Sequence, residues 1–252
     1  GRAQDSPARF RLTELAIDHT GRAPRAKYVL FWGLFFFWAL FRRFDVIHCH
    51  DVYPLPPAML LAWLRRVRLV YDAHELVDHT RPRQTFLGRF WDRMHRLGIR
   101  RADLVITANE SRARFLVEHG YEPRRAPVSI MNVGVPANPS PARAAAGRER
   151  AGFGANDFVV IYQGRVSPGR KTVELLEAFV LLPDDYRLLL VGDGPSMRDV
   201  ERRRVELGLE ARVRLTGYIP KDDVLEYVEA SDAGVVLYDG ALLNNYYCAP
   251  NK

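Results

Sequence analysis

The chain has 252 residues, 48% of them hydrophobic and 27% charged, a composition that excludes an intrinsically disordered protein. Its length allows two domains of roughly 100–150 residues each. The net charge of +7 is uneven, because residues 1–132 carry 22 Lys+Arg against 13 Asp+Glu and residues 133–252 carry 15 against 17, so an anionic partner is expected for the first half.

The first half of the chain alternates short β-branched runs with longer segments of helical character. Strands are predicted at residues 44–49, 68–72, 103–108 and 128–131, and helices at residues 57–66, 86–101 and 110–119. An apolar aromatic segment, residues 28–41, precedes the first strand. This order of elements predicts a parallel sheet built from βαβ units.

Residues 136–156 contain prolines, glycines and a run of alanines, and we predict that they form a linker. It would separate an N-terminal domain, residues 1–135, from a C-terminal domain, residues 157–252. Further strands are predicted at residues 158–162, 187–191, 213–216 and 234–238, and helices at residues 172–182, 196–207 and 222–230. The predicted fold class is α/β, with two Rossmann-like parallel-sheet domains that bind ligands at the carboxyl ends of their strands.

The segment VVIYQGRVSPGRK, residues 159–171, has the sequence pattern of an anion site. An apolar strand ends at Gly164, Arg165 follows it, and Lys171 stands at the start of a predicted helix. The free N–H groups and the dipole of a helix N-terminus favour negative charge, and the two cations add to that preference. The alternative is a solvated basic loop, which the strand-to-helix context disfavours.

Six segments in order resemble the family 4 glycosyltransferases, which are retaining enzymes of the GT-B fold. They are DVIHCHD, VYDAHE, GRVSPGRK, VGDGP, LTGYIP and NNYYCAPNK, and the resemblance runs from about residue 44 to the end. It implies two domains facing a crevice, and metal-independent transfer of a sugar from a nucleotide-diphosphate sugar to a glycan or lipid-linked acceptor. The family would also have a Gly-rich unit before Arg22 and a ribose-binding Glu beyond Lys252. Both domains are therefore expected to be incomplete, and the fragment alone inactive.

The resemblance also implies roles for single residues. Arg165 and Lys171 would stabilise the departing diphosphate, and His74 would lie near the transferred sugar. The donor-binding residues would be Gly164, Gly192, Asp193, Gly194, Tyr218, Ile219 and Tyr247, and the acceptor-side residues would be His50, Asp51 and Glu75. Tyr247 stands where many relatives have a Glu, which leaves open a nucleotide-sugar epimerase or a non-catalytic binding protein on the same fold. A plain Gly-Asp-Gly turn, an aromatic packed on the sheet edge and a structural His74 are the simpler alternatives.

The sequence of His48, Cys49 and His50 raises the question of a metal site. Successive strand residues point to opposite faces, so Cys49 should point away from the two histidines, and no further ligand has suitable spacing. We therefore predict no metal. Nucleic-acid binding is not predicted either, because the aromatic residues cluster in residues 28–41 and do not alternate with the arginines.

Residues 28–41 would form a helix of about 21 Å, too short to span a hydrocarbon core of about 30 Å. Cations at Lys27, Arg42 and Arg43 make it a candidate for an anionic membrane surface, and the alternative is a buried helix. The chain has only two cysteines, too few for a disulfide framework, which favours a reducing compartment. The predicted location is cytoplasmic, with peripheral binding to the inner face of the cytoplasmic membrane as a further option.

Overall fold

Residues 24–77, 85–133 and 138–250 are described by a computed structural model, without the side chains of residues 24–28 and 221–222. The chain divides into two units, Gly1–Met131 and Asn132–Lys252. In both units parallel strands alternate with helices. The predictions for the segment before residue 24 and for Lys252 concern residues outside this description.

The first unit contains a four-stranded parallel sheet. Its strands are β1 (Val46–His50), β2 (Arg68–Ala73), β3 (Leu104–Thr107) and β4 (Val128–Ser129), and its described helices are α1 (Pro24–Leu40), α2 (Leu55–Arg65), α3 (Phe86–Arg101) and α4 (Glu110–Glu118). The strands pair in the order β1-β2-β3-β4. Each connection therefore steps in the same direction across the sheet.

One face of this sheet is buried because its apolar residues alternate along each strand. Leu69 and Tyr71 are buried in β2, and the Tyr71 hydroxyl lies 2.7 Å from Nδ1 of the buried His95 on α3. The side chains of Thr85 and Asn109 cap α3 and α4 by accepting hydrogen bonds from first-turn N–H groups. Capping fixes where both helices start, and so fixes the loops before them.

The aromatic segment forms α1, as predicted, but it is not a fully buried helix. Among residues 29–40, only Ala39 is buried. Trp32 Nε1 donates a hydrogen bond of 2.9 Å to the carbonyl oxygen of Tyr53, while Val29 and Phe37 remain 65% and 64% exposed. Within the described part of the chain, no helix has both the length and the apolar character needed to cross a membrane.

The second unit contains another four-stranded parallel sheet. Its strands are β5 (Phe158–Gln163), β6 (Tyr186–Val191), β7 (Val213–Gly217) and β8 (Ala233–Val235), and its described α-helices are α5 (Pro141–Ala151), α6 (Thr172–Phe179), α7 (Met197–Glu206), α8 (Lys221–Glu229) and α9 (Leu243–Tyr246). The strand order is β7-β6-β5-β8. Two clusters of apolar side chains, one around Leu188 and one around Leu189, pack beneath the helices.

The segment predicted as a linker contains helix α5. Pro141 opens the helix after the N-cap Ser140, and Gly152 ends it in the left-handed conformation, with φ of 74°. The helix packs on α8. Three of its arginines pair with acidic side chains, Arg143 with Glu229, Arg148 with Asp232 and Arg150 with Glu226. Pro141, one of the prolines that suggested a linker, instead starts this helix.

Candidate active site

The strand order of the second unit creates a topological switch point between β5 and β8. β6 and β7 lie on one side of β5, whereas β8 lies on the other. In open parallel sheets, ligands bind at such a point, outside the carboxyl ends of the strands. β5 ends at Gln163 and leads directly into residues 164–171, which we call the cation loop. The predicted anion-binding segment therefore lies at the switch point.

The cation loop is packed tightly against the turn that follows β6. Val166 N donates a hydrogen bond of 3.0 Å to the carbonyl oxygen of Asp193. Gly192 has φ of 144°, and a Cβ built there would lie 1.8 Å from the carbonyl oxygen of Gly164. A Cβ on Gly194 would lie 2.1 Å from the carbonyl oxygen of Val166. Both positions therefore require glycine, because the two backbones approach too closely for any side chain.

Arg165 is the exposed cation of the loop. Its carbonyl oxygen accepts a hydrogen bond of 2.8 Å from the Tyr162 hydroxyl, which fixes the main chain at this residue. Burial raises the pKa of Tyr162, so the hydroxyl keeps its proton at neutral pH. In the described residues no acidic side chain pairs with the Arg165 guanidinium. The guanidinium is therefore available to an anionic ligand.

Lys171 ends the cation loop in an uncommon backbone conformation. Its φ is 52°, which few residues other than glycine adopt. Its Nζ lies 3.0 Å from Oε1 of Glu174, and this hydrogen bond raises the pKa of Lys171. Lys171 is also the N-cap residue of α6, and its own side chain does not cap the first turn of this helix. The N-terminus of α6 thus carries a cation.

A second loop, after β8, holds the cation loop from the other side of the switch point. Asp239 N donates a hydrogen bond of 3.0 Å to the carbonyl oxygen of Gly169. The Arg170 guanidinium carbon lies 3.7 Å from the ring centroid of Tyr238, a cation–π contact. Asn245 Nδ2 in turn donates to the carbonyl oxygen of Asp239 at 3.0 Å. These contacts occupy Arg170 structurally, which leaves Arg165, and Lys171 beside Glu174, as the candidates to meet a ligand.

The remaining predicted donor residues differ in their surroundings. Tyr218 follows β7 and is 79% exposed, and the preceding Gly217 accepts a hydrogen bond of 3.0 Å from Gly192 N. Ile219 instead packs against the apolar cluster around Leu189, as a core residue would. Tyr247 ends α9 and packs edge-on against Tyr246, with ring centroids 4.9 Å apart. Tyr218 is therefore the aromatic residue most accessible to a base, and Ile219 serves the core.

In the first unit, His50 lies at the carboxyl end of β1, opposite Asp72 in the register of β1 and β2. His50 Nδ1 is 3.0 Å from Asp72 Oδ2. Asp51 follows with φ of 64°, and its N–H donates to the carbonyl oxygen of Asp72 at 3.0 Å. Cys49 points to the buried face, as predicted, and burial raises the pKa of its thiol to about 12.

His74 and Glu75 follow β2 and are both exposed. The carbonyl oxygen of His74 accepts a hydrogen bond from the guanidinium of the buried Arg112, which lies in the first turn of α4. The structure thus fixes the backbone at His74 and leaves its imidazole accessible. Within the described residues, neither the His74 nor the Glu75 side chain makes a hydrogen bond or ion pair.

Several residues that shape these sites could not be identified from the sequence. Asp72 gave no signal, because its pairing with His50 depends on the register between β1 and β2. Arg112 gave no signal, since a buried arginine resembles any helical arginine in sequence. Tyr238 and Asn245 gave no signal either, because only the folded chain brings residues after β8 against residues after β5.

The sequence matches two protein families. Residues 2–132 match the family described as a glycosyl transferase 4-like domain, and residues 146–239 match the glycosyl transferases group 1. The first match alone covers more than half of the chain. The first match lies almost wholly within the first unit, and the second falls within the second unit.

Similar proteins agree with these families. The D-inositol 3-phosphate glycosyltransferase of Thermobispora bispora is 28% identical over 215 residues, which cover 77% of this chain and 49% of that protein. The lipopolysaccharide core biosynthesis glycosyltransferase LpsD of Rhizobium meliloti is 37% identical over 82 residues, 32% of this chain and 23% of that protein. The chain therefore spans about half the length, or less, of these relatives.

Solved structures share the fold. Anabaena HepE in complex with UDP has a TM-score of 0.67 and 22% identity, with 81% of this chain and 55% of that chain covered. This likeness and the two parallel sheets confirm the predicted fold class, Rossmann-like units of the GT-B type. The chain belongs to the family of glycosyl transferase 4-like proteins.

Proposed function

We propose that the chain carries the sugar-nucleotide site of a retaining glycosyltransferase, which moves a sugar from a nucleotide-diphosphate sugar to a glycan or lipid-linked acceptor. The observation that carries this proposal is the cation loop at the switch point of the second unit. Arg165 and Lys171 stand there beside backbones that only glycine permits. The UDP complex of the Anabaena protein supports a nucleoside diphosphate as the ligand class.

The chemistry follows from charge. Transfer of the sugar expels a nucleoside diphosphate, so fixed positive charge at the departing phosphates lowers the barrier. Arg165 offers a planar fork for two phosphate oxygens, and Lys171 offers a compact charge next to the α6 N-terminus. These groups would replace the metal ion that other transferases use to bind diphosphate. Retention would arise by same-face displacement, in which the departing phosphate oxygen helps to remove the acceptor proton.

The donor contacts would come from the turns around the cation loop. Gly164, Gly192 and Gly194 would let the phosphates approach the backbone closely, and Tyr218 would pack on the base. Asp193 and Tyr247 belong to the same edge of the sheet and would contact the sugar or ribose. The acceptor hydroxyl would be met by His74, His50 and Asp51 at the carboxyl edge of the first sheet, with Glu75 beside them.

We further propose that α1 binds an anionic membrane surface, on which a lipid-linked acceptor would be reached. Val29, Phe37 and Phe41 are exposed in this segment, at 65%, 64% and 82%, next to the exposed Arg42 and Arg43. Exposed large apolar side chains mark an interaction surface, and the adjacent cations favour an anionic membrane. A cytoplasmic location, peripheral to the inner membrane face, is part of this proposal.

Calorimetry tests the donor site directly. We expect the chain to bind at least one of UDP, GDP and ADP, with the preferred base identified by comparison. A labelled sugar nucleotide incubated with the complete protein should then give a glycoside, whereas an epimerase would return an isomerised sugar nucleotide. Absence of binding to all three diphosphates by the complete protein would reject the proposal.

A further inference from the structure

Three side chains on the outer edge of the first sheet form a cluster that the donor chemistry does not use. His48 and His50 lie on the same exposed face of β1, because residues two apart in a strand point the same way. Their ring centroids are 4.3 Å apart. Asp72 joins them from β2, because the parallel register places it opposite His50.

The cluster has the donor atoms and spacing that a transition metal needs. One ligand atom from each of His48, His50 and Asp72 lies within 4.8 Å of the others. Tetrahedral zinc with bonds of about 2.0–2.2 Å separates its ligand atoms by about 3.3–3.6 Å. Small rotations of the three side chains would bring their ligand atoms to that spacing. Two imidazoles and one carboxylate leave the fourth position to water.

The surroundings favour access by an ion from solvent. The side chain of His50 is 68% exposed and that of Asp72 is 17% exposed. β1 is the edge strand of the sheet in the described residues, and His48 and His50 are both exposed. The sequence argument against a metal rested on Cys49, which does face the core, and overlooked the carboxylate that the register supplies.

We propose that His48, His50 and Asp72 form a binding site for a divalent transition metal ion, of which Zn²⁺ is the example to test. The ion would replace the hydrogen bond between His50 and Asp72 with two bonds to the metal. Imidazole ligands select Zn²⁺ over Mg²⁺, which prefers oxygen ligands. The site is separate from the cation loop, which lies in the other unit. His50 is also proposed to meet the acceptor, so Zn²⁺ binding is tested by titration, separately from sugar transfer.

Calorimetric titration of the chelator-treated chain with ZnCl₂ tests this site. We expect one saturable site, and loss of at least about tenfold in affinity in each of the variants His48→Asn, His50→Asn and Asp72→Asn. His119→Asn is the matched control, because His119 is also exposed but stacks on Phe115, away from the cluster. MgCl₂ should give no comparable site. Circular dichroism of each variant shows whether the fold is intact.

Co²⁺ provides a second readout that does not depend on the variants. Tetrahedral coordination by two histidines and a carboxylate should give visible d–d absorption that the His48→Asn variant loses. Unchanged Zn²⁺ affinity in folded His48→Asn and His50→Asn variants would overturn the proposal. Absence of any saturable Zn²⁺ site in the wild-type chain would overturn it as well, and would leave His50 and Asp72 as a hydrogen-bonded pair only.

Discussion

Replacement of Arg165 by alanine separates a ligand-binding role from a structural one. The guanidinium is exposed and pairs with no described acidic residue, so its loss should change the free energy of unfolding by no more than about 0.5 kcal/mol. The main-chain contact from the Tyr162 hydroxyl remains, because it ends on the backbone carbonyl oxygen. The loop should therefore keep its shape.

Binding of a nucleoside diphosphate should weaken in the Arg165→Ala variant. A hydrogen bond to a charged group contributes about 1.5–3 kcal/mol, which corresponds to a rise of about 10- to 150-fold in Kd. Turnover of the complete protein should fall by about 10² to 10³, the usual loss for one charge donor aimed at a developing anion. Calorimetry with the preferred diphosphate and initial rates with a labelled donor measure the two effects.

Arg202→Ala is the matched control for this experiment. Arg202 lies on α7 in exposed ion pairs with Asp199 and Glu206, which contribute little to stability. The control should bind the diphosphate like the wild type. If Arg165→Ala and Arg202→Ala had the same Kd and the same turnover as the wild type, the assignment of Arg165 to the diphosphate would be wrong.

Four further outcomes are expected. Gly192→Ala should lower the free energy of unfolding by at least about 2 kcal/mol and abolish diphosphate binding, since its Cβ meets a carbonyl oxygen at 1.8 Å. The control Gly154→Ala, with an ordinary contact of 3.5 Å, should do neither, and equal melting temperatures of the two variants would contradict this prediction. The Cys49 thiol, with its pKa raised to about 12, should resist a thiol reagent at pH 8 while Cys248 reacts, and two reactive thiols in the folded chain would refute its burial. Because this pKa exceeds the unfolded value of about 8.5, the stability it contributes is complete below about pH 8.5 and lost as pH rises toward about 12. In urea titrations over this pH range, Cys49→Ala should therefore lose less unfolding free energy than the wild type. In flotation at low salt, the chain should float with anionic liposomes, and the floating fraction should be smaller for Phe37→Ser. A chain that stays in solution at low salt would reject membrane binding by α1.

Most strands and helices could be predicted because their signals are local. The β-branched run of residues 158–162 and the apolar spacing of α3 each report their own conformation. Helix α5 was not predicted, because its alanine-rich sequence shows little apolar periodicity and its packing against α8 depends on tertiary contacts. Local composition alone could not distinguish a capped helix from a linker.

The candidate sites were predictable to the extent that one strand or one turn carries them. The cation loop lies within a single connection, so its glycine and cations are contiguous in sequence. The contact between Gly169 and Asp239 joins residues far apart in the chain and depends on the crossing of β8 to the far side of β5. The pair of His50 and Asp72 depends on strand register in the same way.

The close approach of Gly192 to the cation loop has a kinetic consequence. Hydrogen bonds from Val166 N and Asp239 N hold the loop on both sides without a ligand. Ligand binding should therefore require little further ordering of the loop backbone. Association should then proceed at an ordinary diffusional rate without a slow rearrangement. Loss of Arg165 would shorten the lifetime of the complex and leave its rate of formation almost unchanged.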